Sequence, residues 1–252
     1  ATVKAGGGYQ ADGHEFTLTP QGTALIDIYH AVPYDLSPLG GPTNGQVLDC
    51  IVQEIDVATG EVLFTWHSLD HVGLDQSYQS PPAVDAVGNA TPYDYFHINS
   101  VQLADDGNLL VSARHTSTIY KIDRQTGAII WRLGGKSSDF KMGKGTRFSW
   151  QHNAMAAGRN TVRIFDNASN GTSSAGQSRV LWIHLNEQSK TATLQKSITH
   201  PDKLSAGSQG NAEALPQSHT FVGWGQLGRV SEFDEAGKLL FDATLPNGYD
   251  TY

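Results

Sequence analysis

One pattern repeats along this chain and constrains its fold more than any other feature: a polar strand head, a turn, and a more apolar strand. It appears in HEFTLTPQGTALI from His14, HINSVQLADDGNLLVSA from His97, QHNAMAAGRNTVRIF around His152, and GNAEALPQSHTFVGW around Asn211. A second repeat, QEIDVATGEVLFTW, YKIDRQTGAIIWRL and SEFDEAGKLLFDA, reads as strand, Asp-led turn with Gly, then strand. Glycine supplies positive φ without steric cost and aspartate hydrogen-bonds back to the turn backbone, which is hairpin chemistry. Together the repeats give four strands per unit, with units near 14–69, 97–133, 148–198 and 211–244. Such units stack into a closed array with the heads of their innermost strands around one axis. The expected fold is therefore all-β, a β-propeller of four-stranded antiparallel blades forming a single domain over residues 1–252. Four units are few for a closed ring, so the chain is expected to be a fragment of a longer one.

No stretch carries a sustained 3.6-residue apolar period, so helix is expected to be scarce. The loops between units are long: Asp70 to Tyr95 contains Pro81, Pro82, Gly88 and Pro92, and Leu133 to Phe148 reads LGGKSSDFKMGKGTRF. Loops of that length are usually functional lids or disordered segments.

Asp and Glu number 25 against 17 Lys and Arg, a formal charge of −8 with no basic cluster. An electrostatic footprint for nucleic acid or an anionic membrane surface is missing, so small-molecule partners are expected. No apolar run approaches the roughly 20 residues of a membrane span, and no signal peptide stands at the start. The expected location is secreted or periplasmic. Cys50 is the only cysteine, lies in the apolar run VLDCIVQEI, and is read as buried and inert. Asn89-Ala-Thr, Asn167-Ala-Ser and Asn170-Gly-Thr match the glycosylation triplet and are read mainly as loop markers.

If the repeats are equivalent, His14, His97 and His152 converge on one cavity, with Asn211 in the fourth copy. Arg114, one strand along from His97, adds a planar donor fork suited to an oxyanion, and Asn99 adds a polar amide. The other histidines receive plainer readings. His30, His67, His184, His200 and His219 are read as structural, and His71 as able to reach the channel mouth from its loop. His115 should point to the opposite face of the strand from Arg114. Trp66 and Trp131 end equivalent strands and are read as packing between blades.

The motifs HEFTLTPQGTAL, DLSPLGG, VQEIDVATGEVLFTWHSLDHV, DYFHINSV, SARHTSTIYKID, IIWRLGGKSSDF and WQHNA occur in this order over nearly the whole chain. The chain thereby resembles the aryl sulfotransferases that use no nucleotide sulfate donor, in particular their fungal and bacterial branch. The resemblance implies a six-bladed propeller whose central channel holds a histidine that becomes sulfated, a role it assigns to His152. It also implies that His97, Asn99, Arg114 and His14 surround the sulfuryl group. The activity implied is transfer from an aryl sulfate to a phenol, with no cofactor and no metal; the oligomeric state stays open.

Other readings remain open from the sequence. IDRQTGAIIW resembles the docking segment of quinone-cofactor dehydrogenases, although a lone cysteine and a His-lined centre argue against that class. A non-catalytic propeller binding a sulfated or phenolic ligand, or a protein partner, would use the same His and Arg. A zinc site from His14, His97 and His152 lacks any HxH or HExxH spacing.

Overall fold

A computed structural model of the protein describes residues 2–83, 90–246 and 248–252. They form four sheets, in each of which consecutive strands pair as an antiparallel meander. The first sheet contains β1 (Phe16–Leu18), β2 (Thr23–Tyr34), β3 (Gly45–Asp56) and β4 (Val62–His67). The second contains β5 (Ile98–Leu103), β6 (Leu109–Ala113), β7 (Thr118–Ile122) and β8 (Ile129–Gly134). After a short β9 (Lys141–Met142), the third is built from β10 (His152–Ala156), β11 (Thr161–Asp166), β12 (Arg179–Asn186) and β13 (Thr191–Thr199). The fourth contains β14 (Asn211–Ala214), β15 (Thr220–Gly223), β16 (Arg229–Phe233) and β17 (Leu239–Thr244). Helix among the described residues is limited to short 3-10 turns. The architecture is all-β and propeller-like.

The repeated hairpins fold alike because their turns use the same bonds. Asp56 Oδ1 accepts from the N–H groups of Ala58 and Thr59 and from the Thr59 hydroxyl; Asp123 Oδ1 does the same with Gln125 and Thr126. Gly60 and Gly127 then take φ of 77° and 75°. Trp66 and Trp131, near the ends of those hairpins, do pack between sheets. Trp66 Nε1 donates to Gly127 O in the β7–β8 turn at 3.0 Å, and Trp131 Nε1 to Glu187 Oε1 after β12 at 3.1 Å. His71 stacks on Trp66 with ring centroids 5.1 Å apart, so it covers an indole face.

Each pair of neighbouring sheets seals its own core. Leu25, Val52 and Trp66 meet Phe96, Val101 and Tyr120 between the first two sheets. Leu110, Ile119 and Trp131 meet Ile164, Leu181 and Ile183 between the second and third, and Phe165 and Val180 meet Val222 and Trp224 between the third and fourth. The innermost strands are also joined directly. Val101 N–H donates to Glu15 Oε2, Ala154 N–H to Ser100 Oγ, and Ala212 N–H to Asn153 Oδ1, at 3.3, 3.1 and 3.0 Å. Every joint pairs a backbone donor of one sheet with a side chain of the sheet before it.

Two sequence expectations change here. The Leu133–Phe148 loop is neither a free lid nor shapeless: β9 pairs in parallel with β13, and Lys136 Nζ donates to Asp75 O and Ser77 O at 2.7 and 2.6 Å. Asn167 is fully buried rather than on a surface loop, whereas Asn170 caps an exposed turn by accepting from Thr172 and Ser173. Asn89 lies outside the described residues. Cys50 is buried, and burial pushes its thiol pKa well up, as suits an inert side chain.

Candidate active site

His14 stands two residues before β1, His97 immediately before β5, and His152 opens β10. The backbone is unusual at these heads. His97 has φ 55°, Trp150 57° and Asn153 49°, a left-handed region that costs non-glycine residues about 1–3 kcal/mol. The pairing of β5 with β6 slips between Ile98 and Ser100, and that of β10 with β11 between His152 and Met155. Bulges of this kind re-aim side chains at the rims of sheets. Asn99 falls inside the first slip and Asn153 inside the second.

These turns gather the imidazoles. The ring centroids of His14 and His97 are 5.2 Å apart, and those of His97 and His115 are 4.5 Å apart. Tyr252 lies against both His14 and His152, with centroid distances of 5.5 and 6.0 Å. Asn99 Nδ2 donates to the carbonyl of Gln151 at 2.7 Å, tying the residue two after His97 to the one before His152.

Hydrogen bonds fix the tautomer of His152. Asn167 Nδ2 donates to the carbonyls of Ala206 and Gln209, so its Oδ1 accepts from His152 Nδ1–H at 2.8 Å. Gln209 N–H in turn donates to Nε2 at 3.2 Å, so Nε2 carries the lone pair. Burial, reinforced by Arg114, His97 and His14, holds the His152 pKa well below its ordinary value. The ring is a neutral imidazole at neutral pH.

Arg114 and His115 form the next part of the cluster. Arg114 Nη1 donates to His115 Nε2 at 2.9 Å and Nη2 to Gly207 O at 2.7 Å, while the guanidinium lies 5.4 Å from the Trp150 ring centre. Arg114 Nε and Asn99 Oδ1 are buried with no hydrogen-bond partner among the described residues. Burial lowers the Arg114 pKa. His115 Nδ1 donates to Asp94 O at 2.6 Å, and burial together with His97 pushes its pKa down to about 4. Arg114 and His115 thus lie on the same side, not on opposite faces as strand alternation predicts. Strand alternation stops at Ala113, where β6 ends, and the turn that follows brings both side chains to one side.

Asp94 was inside the DYFHINSV motif but no role was read for it. Its Oδ2 lies 2.5 Å from His97 Nδ1. Burial opposes ionisation of Asp94, but the bond and charge of His97, with His115 and Arg114, outweigh it and lower the pKa. Asp12 pairs with His14 Nδ1 in the same way. Behind that pair Asp27 is fully buried, and burial together with Asp12 pushes its carboxyl up to about 8. Asp94, His97 and His115, and separately Asp12, His14 and Asp27, bring donor atoms within 4.8 Å, close enough to hold an ion. The trio His14, His97 and His152 does not come together in this way among the described residues. Asn211 uses its amide on Tyr252 O and Gly223 N–H, at 3.3 and 3.2 Å, so it reaches the cluster through Tyr252. A groove of about 580 Å³ lined by Asp106, Lys121, Trp131 and Arg159 lies between the second and third sheets, away from these histidines.

The fold is propeller-like, and this His–Arg cluster stands at its strand heads. The chain belongs to the arylsulfotransferase (ASST) family, whose model matches residues 7–245. No curated protein matches it. Among solved structures it is similar to a protein of unknown function from Bacteroides caccae, with 13% identity over 94% of this chain and 62% of that one and a TM-score of 0.48. It is also similar to the RRP9 WD40 repeats, with 11% identity, 95% and 55% coverage and a TM-score of 0.47. For virginiamycin B lyase from Staphylococcus aureus the values are 12%, 92%, 55% and 0.41. The chain thus spans less than two thirds of the length of each of these three structures.

Proposed function

We propose that the protein transfers a sulfuryl group from an aryl sulfate to a phenol by a ping-pong route through His152, within a ring that reaches six blades. The observation that carries this reading is the state of His152: a buried, neutral imidazole whose Nε2 is held as the lone-pair nitrogen. Family membership favours this class over a quinone-cofactor dehydrogenase.

In the first half-reaction Nε2 gives up its bond from Gln209 N–H and attacks sulfur, an N–S bond forms, the S–O bond to the aryl group breaks, and the phenolate leaves. His97, oriented by Asp94, supplies the proton to that phenolate. In the second, His97 takes the proton of an acceptor phenol, its oxygen attacks sulfur, and the N–S bond breaks to restore neutral His152. Arg114 Nε and the second Nδ2–H of Asn99 are the donors available to the sulfuryl oxygens. Preorganised donors of this sort act where charge develops, and removing one typically costs about a hundredfold to a thousandfold in rate.

The test is release of nitrophenolate from 4-nitrophenyl sulfate by the full chain, with and without added phenol. Acceptor-dependent turnover, lost in His152→Asn with the far-ultraviolet circular dichroism spectrum unchanged, is the expected result. Turnover that persists in His152→Asn sinks the nucleophile assignment. Binding of the sulfate ester without release would favour a non-catalytic propeller.

A further inference from the structure

A phenol already lies inside this cluster. The Tyr252 ring meets His14 edge-on at 5.5 Å and 74°, and His152 at 6.0 Å and 90°. Its hydroxyl donates to the main-chain oxygen of Asn99 at 3.4 Å. The segment that carries it is held by the fourth sheet and the turns beside it. Gly210 N–H donates to Thr251 O at 3.2 Å, Thr251 N–H to Gly225 O at 3.1 Å, and Asn211 Nδ2 to Tyr252 O at 3.3 Å. The site thus holds Tyr252 from the backbone and leaves its phenol among the imidazoles.

We propose that Tyr252 is an internal sulfuryl acceptor: a modification site at which the group carried by His152 is passed to the protein's own phenol. This rests on the transfer chemistry assigned to His152 above. In the step, Tyr252 oxygen attacks the sulfur on His152 Nε2, a Tyr252 O–S bond forms and the N–S bond breaks. The phenolic proton passes to His14, whose Nδ1 is already bound to Asp12. The products are a tyrosine O-sulfate, a neutral His152 and a protonated His14, and atoms and charge balance without a further reactant. A base is needed because burial of the hydroxyl end, reinforced by Asp27, Glu15 and Asp12, raises the Tyr252 pKa. The residue as a whole keeps 46% of its surface exposed. A tyrosine O-sulfate is itself an aryl sulfate. It can return its group to His152, so the modified residue is a store that an external phenol empties.

The experiment mixes the full chain with excess 4-nitrophenyl sulfate and no acceptor, follows nitrophenolate, and maps the added SO3 by mass spectrometry with electron-based fragmentation. The expected burst is about two equivalents per site, with label on Tyr252 and His152, falling to about one in Tyr252→Phe with label on His152 alone. Later addition of phenol should discharge the Tyr252 label as phenyl sulfate. A burst of about one equivalent in both proteins, or a second equivalent that persists in Tyr252→Phe, overturns the proposal while leaving the His152 reading intact. No nitrophenolate even with phenol present removes the transfer chemistry itself, and the proposal with it.

Discussion

The rings of His97 and His115 lie 4.5 Å apart, and Asp94 Oδ2 approaches Nδ1 of the first at 2.5 Å and of the second at 3.6 Å. One carboxylate therefore orients His97 and faces His115. Asp94→Asn keeps the shape but removes the charge that holds the His97 proton in place. It should lower kcat for 4-nitrophenyl sulfate roughly a hundredfold, the low end of what a positioned acid–base group contributes, and shift the pH profile. A rate within about twofold of wild type would mean His97 handles no proton.

Arg114→Lys keeps a cation but loses the fork that reaches His115 Nε2, Gly207 O and the free Nε direction. Turnover should fall about a hundredfold to a thousandfold, with a modest loss of thermal stability because Gly207 O loses its donor. Near-wild-type kinetics in this variant would remove Arg114 from the sulfuryl site.

Stability should change little between pH 4 and 6.5, where His115 and Asp27 act in opposite directions, and fall from pH 6.5 to 8, where Asp27 acts alone. His115, held near 4 against 6.5 when unfolded, stays neutral in the fold, so stability is lost as pH drops from 6.5 towards 4. Asp27, held near 8 against 3.8, keeps its proton in the fold, and that contribution is lost progressively as pH rises from 3.8 to 8. Asp27→Asn should flatten the decline in Tm between pH 6.5 and 8 and leave Tm rising from pH 4 to 6.5, because His115 then acts unopposed. Equal alkaline slopes in the two proteins would show that Asp27 is ionised in the fold.

Trp66 is buried between the first two sheets, donating to Gly127 O and stacked on His71. Trp66→Ala should cost about 3–5 kcal/mol, equivalent to a fall in Tm on the order of 10 °C. Activity measured well below the new Tm should stay within a few-fold, since the indole is far out on the fourth strand. Loss of activity without loss of stability would contradict that assignment.

The sequence disclosed what repeats: Asp56 and Asp123 make matching turns, Trp66 and Trp131 matching joints, and the family motifs the identity of the cluster. It was silent where geometry departs from the repeat. His115 was turned the wrong way because alternation was carried one residue past the end of β6. Asp94 and Asn167 gave no signal of their own, since their value comes from the histidines they meet through loops, and Asn167 even read as a surface triplet. The bulges at Asn99 and Asn153 follow from left-handed residues that no composition reveals.

The bonds from Val101 to Glu15, from Ala154 to Ser100 and from Ala212 to Asn153 mean that no single sheet owns the cluster. Its dimensions are set by joints placed in series, and an error at one joint adds to the errors at the others, as tolerances do in an assembled mechanism. Any turnover at this cluster should therefore report on the alignment of the four sheets. In rising urea it should fade at concentrations where the β-sheet signal is still full, because a few tenths of an ångström of play between sheets separates the imidazoles long before any strand lets go.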